Sequence, residues 1–327
     1  MAILSDADLV ASLAMSDVND TEHRPALIDA IRARLACIPV DRVMAMLATT
    51  IEVGEGVDGG DLPGAWDGEE SGGEHCYWLC LTELKSRPVD AVMLACATWA
   101  AAADPSQRAA AADIVGGLAE AAGDDKSKLA LVSRPIITKL LEDDDAGVVA
   151  AAIGAYGHLC EQPRTGAEIA RLLSFETHPD EDVRWSLLHC LRIAHSSSEM
   201  AALIRLSRDP VSRIRDWATF ALGSLSEADT PEVRDALIAR LDDPDGDTRG
   251  EAMRGLAERG DRRAVPAIAR ELAEDEVGDL VIEAAGLMPD ASYLPVLEDL
   301  LAHMPDDEDV IAAIAACRSG QPSPRWS

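Results

Sequence analysis

Glu74, His75, Cys76 and Cys80 are the densest group of metal-ligand side chains in the chain. On a helix, residues four apart share a face, so Cys76 and Cys80 would point the same way. A transition metal needs about four ligands in fixed geometry. No second cysteine or histidine cluster completes that set, and Tyr77, Trp78, Leu79 and Leu81 mark the segment as core. Asp243, Asp245 and Asp247 open like a calcium loop. Such a loop needs glycine at its sixth position and glutamate at its twelfth; Gly246 comes at the fourth and Arg254 at the twelfth. Gly54, Gly56, Gly59 and Gly60 lack the flanking strand and the GK[ST] ending of a phosphate cradle. No GxSxG or HExxH motif occurs, and the seven histidines are scattered singly. The expectation is a non-enzyme, with no catalytic residue, cofactor or resident metal.

The remaining chemistry is recognition. Arg184, Trp185, Arg215, Asp216, Trp217, Arg249, Glu251 and Arg254 lie at the starts of successive amphipathic segments. Tryptophan and arginine dominate interface energetics, often at ~2 kcal/mol or more each. Arg184, Trp185, Asp216, Trp217, Glu251 and Arg254 are therefore candidates for contact with a partner. Within that set, Trp185, Asp216, Glu251 and Arg254 are expected to be the exposed ones.

Those segments must be held by a larger frame, and composition limits what it can be. The 327 residues carry 29 basic and 59 acidic side chains, a formal charge of −30. Such a field repels phosphate backbones, since nonspecific nucleic-acid binding relies on basic groups displacing counterions. It fits a well-solvated surface or a basic protein partner better. Aromatics make up 3% of the chain, so the core must be built from small and γ-branched side chains, as in closely packed helices. The N-terminal MAILSDADLV carries Asp6 and Asp8 where an export signal would be basic. The longest apolar run, Ala91 to Ala103, is too short to span a bilayer. The seven cysteines, odd in number and without a CxxC pair, read as reduced thiols. A cytoplasmic protein without a membrane segment is expected.

One pattern recurs. It reads SRDPVSRIRDWATFALG at 207–223 and LDDPDGDTRGEAMRGLA at 241–257, with weaker copies at 176–192, 142–157 and 303–317. Its turns, at Pro105, Asp144, Pro179, Pro210, Pro244, Asp275 and Pro305, lie about 29–40 residues apart, one helical hairpin each. Asp209 and Asp243 are expected to cap the second helix, with Pro210 and Pro244 at its first position. Ile214, Ala218, Ala221 and Leu222, matched by Thr248, Ala252, Gly255 and Leu256, form the buried stripe.

The run D-P-x4-R, then A-x2-A-L, then GDRRAVPAIAREL at 260–272, resembles HEAT repeats of the phycobilin-lyase-like subclass and uncharacterised bacterial proteins that carry them. The resemblance implies an all-α, right-handed superhelix of about six to seven hairpins. It also implies a ladder of turn aspartates and arginines joining successive repeats: Asp209 with Arg215 and Asp243 with Arg249, with Arg184 matching although His178 replaces its aspartate. Val149, Val281 or Leu280, and Val310 stand where other copies need arginine, so the ladder is expected only in the middle.

The organisation follows: a helical cap over 1–50, an acidic glycine-rich mobile loop over 51–74, the solenoid over 75–317 and a disordered tail over 318–327. The function expected is that of a non-catalytic scaffold or adaptor, binding a protein, favourably a basic one, on its concave face. Two alternatives are a HEAT-like DNA-repair enzyme resembling the alkylpurine glycosylases and a lyase-type helper handling a bilin. The first needs a basic groove; the second rests on repeat resemblance, which does not carry function.

Overall fold

The computed structural model describes residues 35–53, 72–121, 126–160, 164–274 and 276–326. Most of the expected N-terminal cap and loop residues 54–71 lie outside these. Among the described residues the regular structure is entirely helical. Contacts divide the chain into two compact units, Met1–Gln162 and Pro163–Ser327.

The first unit contains α1 (Val40–Val53), α2 (Gly72–Ser86), α3 (Val89–Trp99), α4 (Pro105–Ala121), α5 (Lys126–Leu140) and α6 (Ala146–Leu159). Helix α1 packs on α2, and α4 packs along α6. Ile114, Val115, Ile137, Leu140, Ile153 and Leu159 fill the space between them. Small residues allow the close approach: a Cβ on Gly116 would lie 3.2 Å from the Ala155 backbone.

The second unit contains α7 (Gly166–Leu173), α8 (Glu181–Leu191), α9 (Ser197–Leu206), α10 (Ser212–Phe220, extended by a π turn at Ala221–Leu225), α11 (Pro231–Ile238), α12 (Gly246–Glu258), α13 (Val265–Glu271), α14 (Asp279–Leu287), α15 (Leu294–His303) and α16 (Glu308–Ser319). Helices α8, α10, α12, α14 and α16 stack in chain order, each against the next. Both predicted stripes, Ile214 to Leu222 and Thr248 to Leu256, are buried between them.

Local chemistry sets where the helices start. Thr165 and Glu168 form a reciprocal capping box on α7, Ser196 caps α9, and Thr230 caps α11 ahead of Pro231. Each satisfies backbone N–H groups that the first helical turn leaves unpaired. Asp245 caps α12; Asp243, expected in that role, lies two residues earlier. Likewise Val211, with no side-chain cap, precedes α10, and Pro210 lies in the turn rather than in the helix.

The displaced aspartates do different work. Asp209 and Asp243 each accept the backbone N–H two residues on, at 2.9 and 3.1 Å. Each carboxylate also receives a forked guanidinium from the preceding repeat: Arg184 onto Asp209 at 2.7 and 3.0 Å, and Arg215 onto Asp243 at 2.9 and 2.8 Å. The same arginines donate to carbonyls of their own turns, His178 and Pro179 for Arg184, Asp209 and Pro210 for Arg215. Each rung thus clamps two turns together.

The ladder runs beyond its expected extent. Arg108 binds Asp143 at 2.8 Å through both nitrogens and the carbonyls of Ala102 and Ala103, making a rung in the first unit. Its spacing, D-P-x2-R, hid it. Arg249 reaches Glu271, not an aspartate, because the longer side chain at the end of α13 spans the same gap. Arg184 needs only the carbonyl of residue 178, so histidine there is tolerated.

Two further fastenings escaped sequence reasoning. Arg259 donates to the carbonyls of Leu222, Gly223, Ser226, Ala228 and Gly255, at 2.6–3.2 Å, satisfying the end of the π turn. Buried Glu199 accepts from Arg164 at 2.7 Å, from Ser196 and from the His195 N–H. Burial alone would raise its carboxyl, but these donors hold it below the usual range. The C-terminal segment, expected to be disordered, folds back: Ser323 N–H donates to the Gly286 carbonyl at 2.9 Å, and Trp326 lies against Gly286, where no Cβ would fit.

Arg215→Ala should cost about 1–3 kcal/mol, by leaving the buried Asp243 carboxylate short of its main partner; unchanged thermal unfolding would contradict a clamping role. Burial opposes ionisation of Asp243, but Arg215 and the Asp245 N–H hold its carboxyl below the usual range. The folded state therefore binds that proton more weakly than the unfolded chain. Its stabilisation is present at neutral pH and lost as pH falls through the acidic range. Gly255→Ala should also destabilise, by about 1–3 kcal/mol, because the added Cβ would lie 2.5 Å from the Gly223 Cα. Equal chemical-denaturation midpoints would refute that close contact.

Candidate functional site

Because each rung fixes its arginine, the rest of every second helix can be counted from it. The residue after the arginine is Trp185 in α8, Asp216 in α10 and Gly250 in α12; the next is Ser186, Trp217 and Glu251. Five on stand His189, Phe220 and Arg254, and two before stand Asp182, Arg213 and Asp247. Apart from buried Gly250, none of these is fully buried, and together they line one surface strip along α8, α10 and α12.

At the α8–α10 junction the strip is aromatic. Trp185 meets Trp217 edge to face at 5.8 Å, and His189 lies 4.5 Å from Trp185 and 5.4 Å from Trp217. Phe220 continues the cluster, 5.6 Å from Trp217 and also edge to face. Such geometry suits ring quadrupoles and stiffens the group. The Arg213 guanidinium lies over Trp185 at 5.1 Å from the ring centroid, while pairing with Glu181 and Asp182.

At the α10–α12 junction the strip turns acidic. Asp216 has one carboxylate oxygen buried without a hydrogen-bond partner. Burial first, then Asp245, Asp247 and Asp243, pushes its carboxyl up to about 6. Burial also raises Glu251 to about 7, despite a hydrogen bond from Ser224 at 3.2 Å. Arg254 does not neutralise it fully, being shared by Glu283 at 2.7 Å, Glu258 at 3.1 Å and the Ser224 hydroxyl at 2.6 Å.

Among the expected contact residues, Trp185, Asp216, Trp217, Glu251 and Arg254 therefore share this strip. Arg184 does not: it is 8% exposed and wholly engaged as a rung. Its place in the sequence is that of Arg215 and Arg249, and the same role as a rung follows. His189, Arg213 and Phe220 were missed; repeat register, counted from the arginine, would have found them. Cys80 is buried, whereas the side chains of His75 and Cys76 lie outside the described residues. A second acidic hollow, lined by Asp242, Asp243, Glu271, Glu274 and Glu276 with Arg249 and Arg270, lies at the turns.

These hairpins, rungs and stacked second helices define an α-helical repeat solenoid. Residues 234–318 match the family of HEAT repeats. It is 31% identical over 179 residues to Protein YibA of Escherichia coli K12, and equally to that of strain O157:H7. The match takes in 53% of this chain and 62% of the relatives' length. An X-ray structure of the Escherichia coli YibA superposes with a TM-score of 0.66 at 21% identity, covering 93% of this chain and 99% of that one. That likeness establishes the fold.

The raised carboxyl of Asp216 has a consequence for stability. Its folded pKa exceeds the ordinary aspartate value, so the penalty for ionising it is absent in acid and complete above about pH 6. Asp216→Asn should therefore stabilise at pH 8, by about 1 kcal/mol once solvent screening of this part-exposed group is discounted, and leave stability near pH 3 almost unchanged. A variant equally stabilised at both pH values would point to a cause other than ionisation.

Proposed function

We propose that this chain is a non-catalytic scaffold that binds a basic protein through the strip formed by α8, α10 and α12. The observation that carries this reading is the joining of a rigid aromatic cluster (Trp185, Trp217, Phe220) to carboxyls whose burial is only partly compensated (Asp216, Glu251). Half-buried aromatics offer contact area at little entropic cost. The acids, within a chain of formal charge −30, draw in and orient a positive partner.

The alternatives drawn from sequence find less support. A DNA-repair groove needs available cations, and Arg108, Arg184, Arg215 and Arg249 are committed to rungs. Among the described residues no helix is long and apolar enough to cross a membrane. The buried free thiols of Cys96 and Cys317 fit a reducing, cytoplasmic setting.

A photo-crosslinking residue at Ser186, on the strip, should capture a basic protein in host cells, whereas the same group at Glu232, on exposed α11, should not. Trp217→Ala should reduce the Ser186 capture about tenfold or more, with the fold retained by circular dichroism despite the loss of its contacts with Trp185, His189 and Phe220. Capture from both positions alike, or tight DNA binding in a low-salt gel shift, would overturn the reading.

A further inference from the structure

The two junctions of the strip are variations on one arrangement, and comparing them points to the chemistry of the ligand. At the α8–α10 junction the chain holds one of its own arginines through a single terminal nitrogen, with Nε buried and unpaired. Arg213, two residues before one rung, lies over Trp185, one residue after the previous rung, with Glu181 and Asp182 holding its charge. One repeat on, the same two positions hold Asp247 and Asp216. The cation has become a carboxylate, and an indole follows at once, as Trp217.

We infer that an arginine side chain of the partner is recognised at the α10–α12 junction, beside Trp217, with its guanidinium held by Asp216 and Glu251. This rests on the protein-binding reading above and goes further in naming the side chain. The junction holds the same kinds of group, a tryptophan and two carboxylates, in a different arrangement: Asp216 stands where the first junction has Trp185, and Asp247 where it has Arg213. One oxygen of Asp216 is buried and unpaired. The nearby cations are engaged elsewhere: Arg215 on Asp243, Arg254 on Glu283 and Glu258, and Arg213 on the far side over Trp185.

Arginine fits this setting better than lysine. Its planar guanidinium lies on an indole and presents several N–H donors in a fixed fork, whereas an ammonium is a compact, strongly hydrated point charge. Binding also meets the electrostatics of the junction. Asp216 is faced by Asp243 and Asp245 from the turn before α12 and by Asp247 and Glu251 from that helix; Glu251 is faced by Ser224, Arg254 and Glu283. His189 lies nearby across Trp217. An incoming guanidinium favours ionised carboxyls, so binding should release protons near neutral pH and strengthen from pH 5 to pH 8.

The test uses the full chain and three unstructured glycine–serine peptides identical except at one residue: arginine, lysine or citrulline, the last planar but uncharged. By calorimetry at low salt and pH 8, the arginine peptide should bind about tenfold more tightly than either other peptide, a margin of about 1.4 kcal/mol. Asp216→Asn and Glu251→Gln, checked for folding by circular dichroism, should each remove that preference. If arginine and lysine peptides bind alike, or if both variants keep the preference, the arginine site is overturned and the wider protein-binding reading stands. If neither charged peptide binds, both fall.

Discussion

A helical hairpin has two apolar faces and can cover only one of them itself, so every repeat needs its neighbour in one particular register. The arginine rungs impose that register. Each guanidinium is fixed at one end by carbonyls of its own turn and at the other by a carboxylate of the next, as Arg215 is by Asp209, Pro210 and Asp243. A buried charge is tolerated only where its partners are complete, and these arginines have theirs. The rung therefore acts as a ruler between turns as well as an attachment.

Close packing depends on that ruler. Gly223 and Gly255 meet backbone to backbone, and Arg259 collects the carbonyls that the π turn cannot pair internally. A slip of one residue would set a side chain against each of these. With the register held, the residues one, two and five places after each arginine must fall on the same strip. An aromatic junction and an acidic junction are then successive versions of one position, which is why Arg213 on Trp185 can be compared with Asp247 and Asp216.

The strip also shows where sequence reasoning reaches its limit. Trp185 and Trp217 stand out by residue type, and Asp216, Glu251 and Arg254 by position. Arg184 looks the same on paper, yet it is buried as a rung because its spacing from the turn equals that of Arg215. Arg108 was overlooked for the converse reason: its turn is shorter in sequence, but the carbonyls of Ala102 and Ala103 occupy the required place. The ladder answers to where carbonyls sit in space, which motif spacing records only in part.

From sequence alone came the all-helical class, the repeat, the apolar stripes and the candidate Trp185, Asp216, Trp217 and Glu251. Those are properties of periodicity and residue type, which local interactions impose. Tertiary structure decided the rest: that Asp209 and Asp243 receive arginines rather than cap helices, that Arg259 closes the π turn, that Trp326 folds onto Gly286, and that one oxygen of half-buried Asp216 is enclosed without a partner. Each depends on groups some 25 or more residues apart in the chain. Only packing brings such groups within hydrogen-bond range and removes the water that would otherwise blunt their charges.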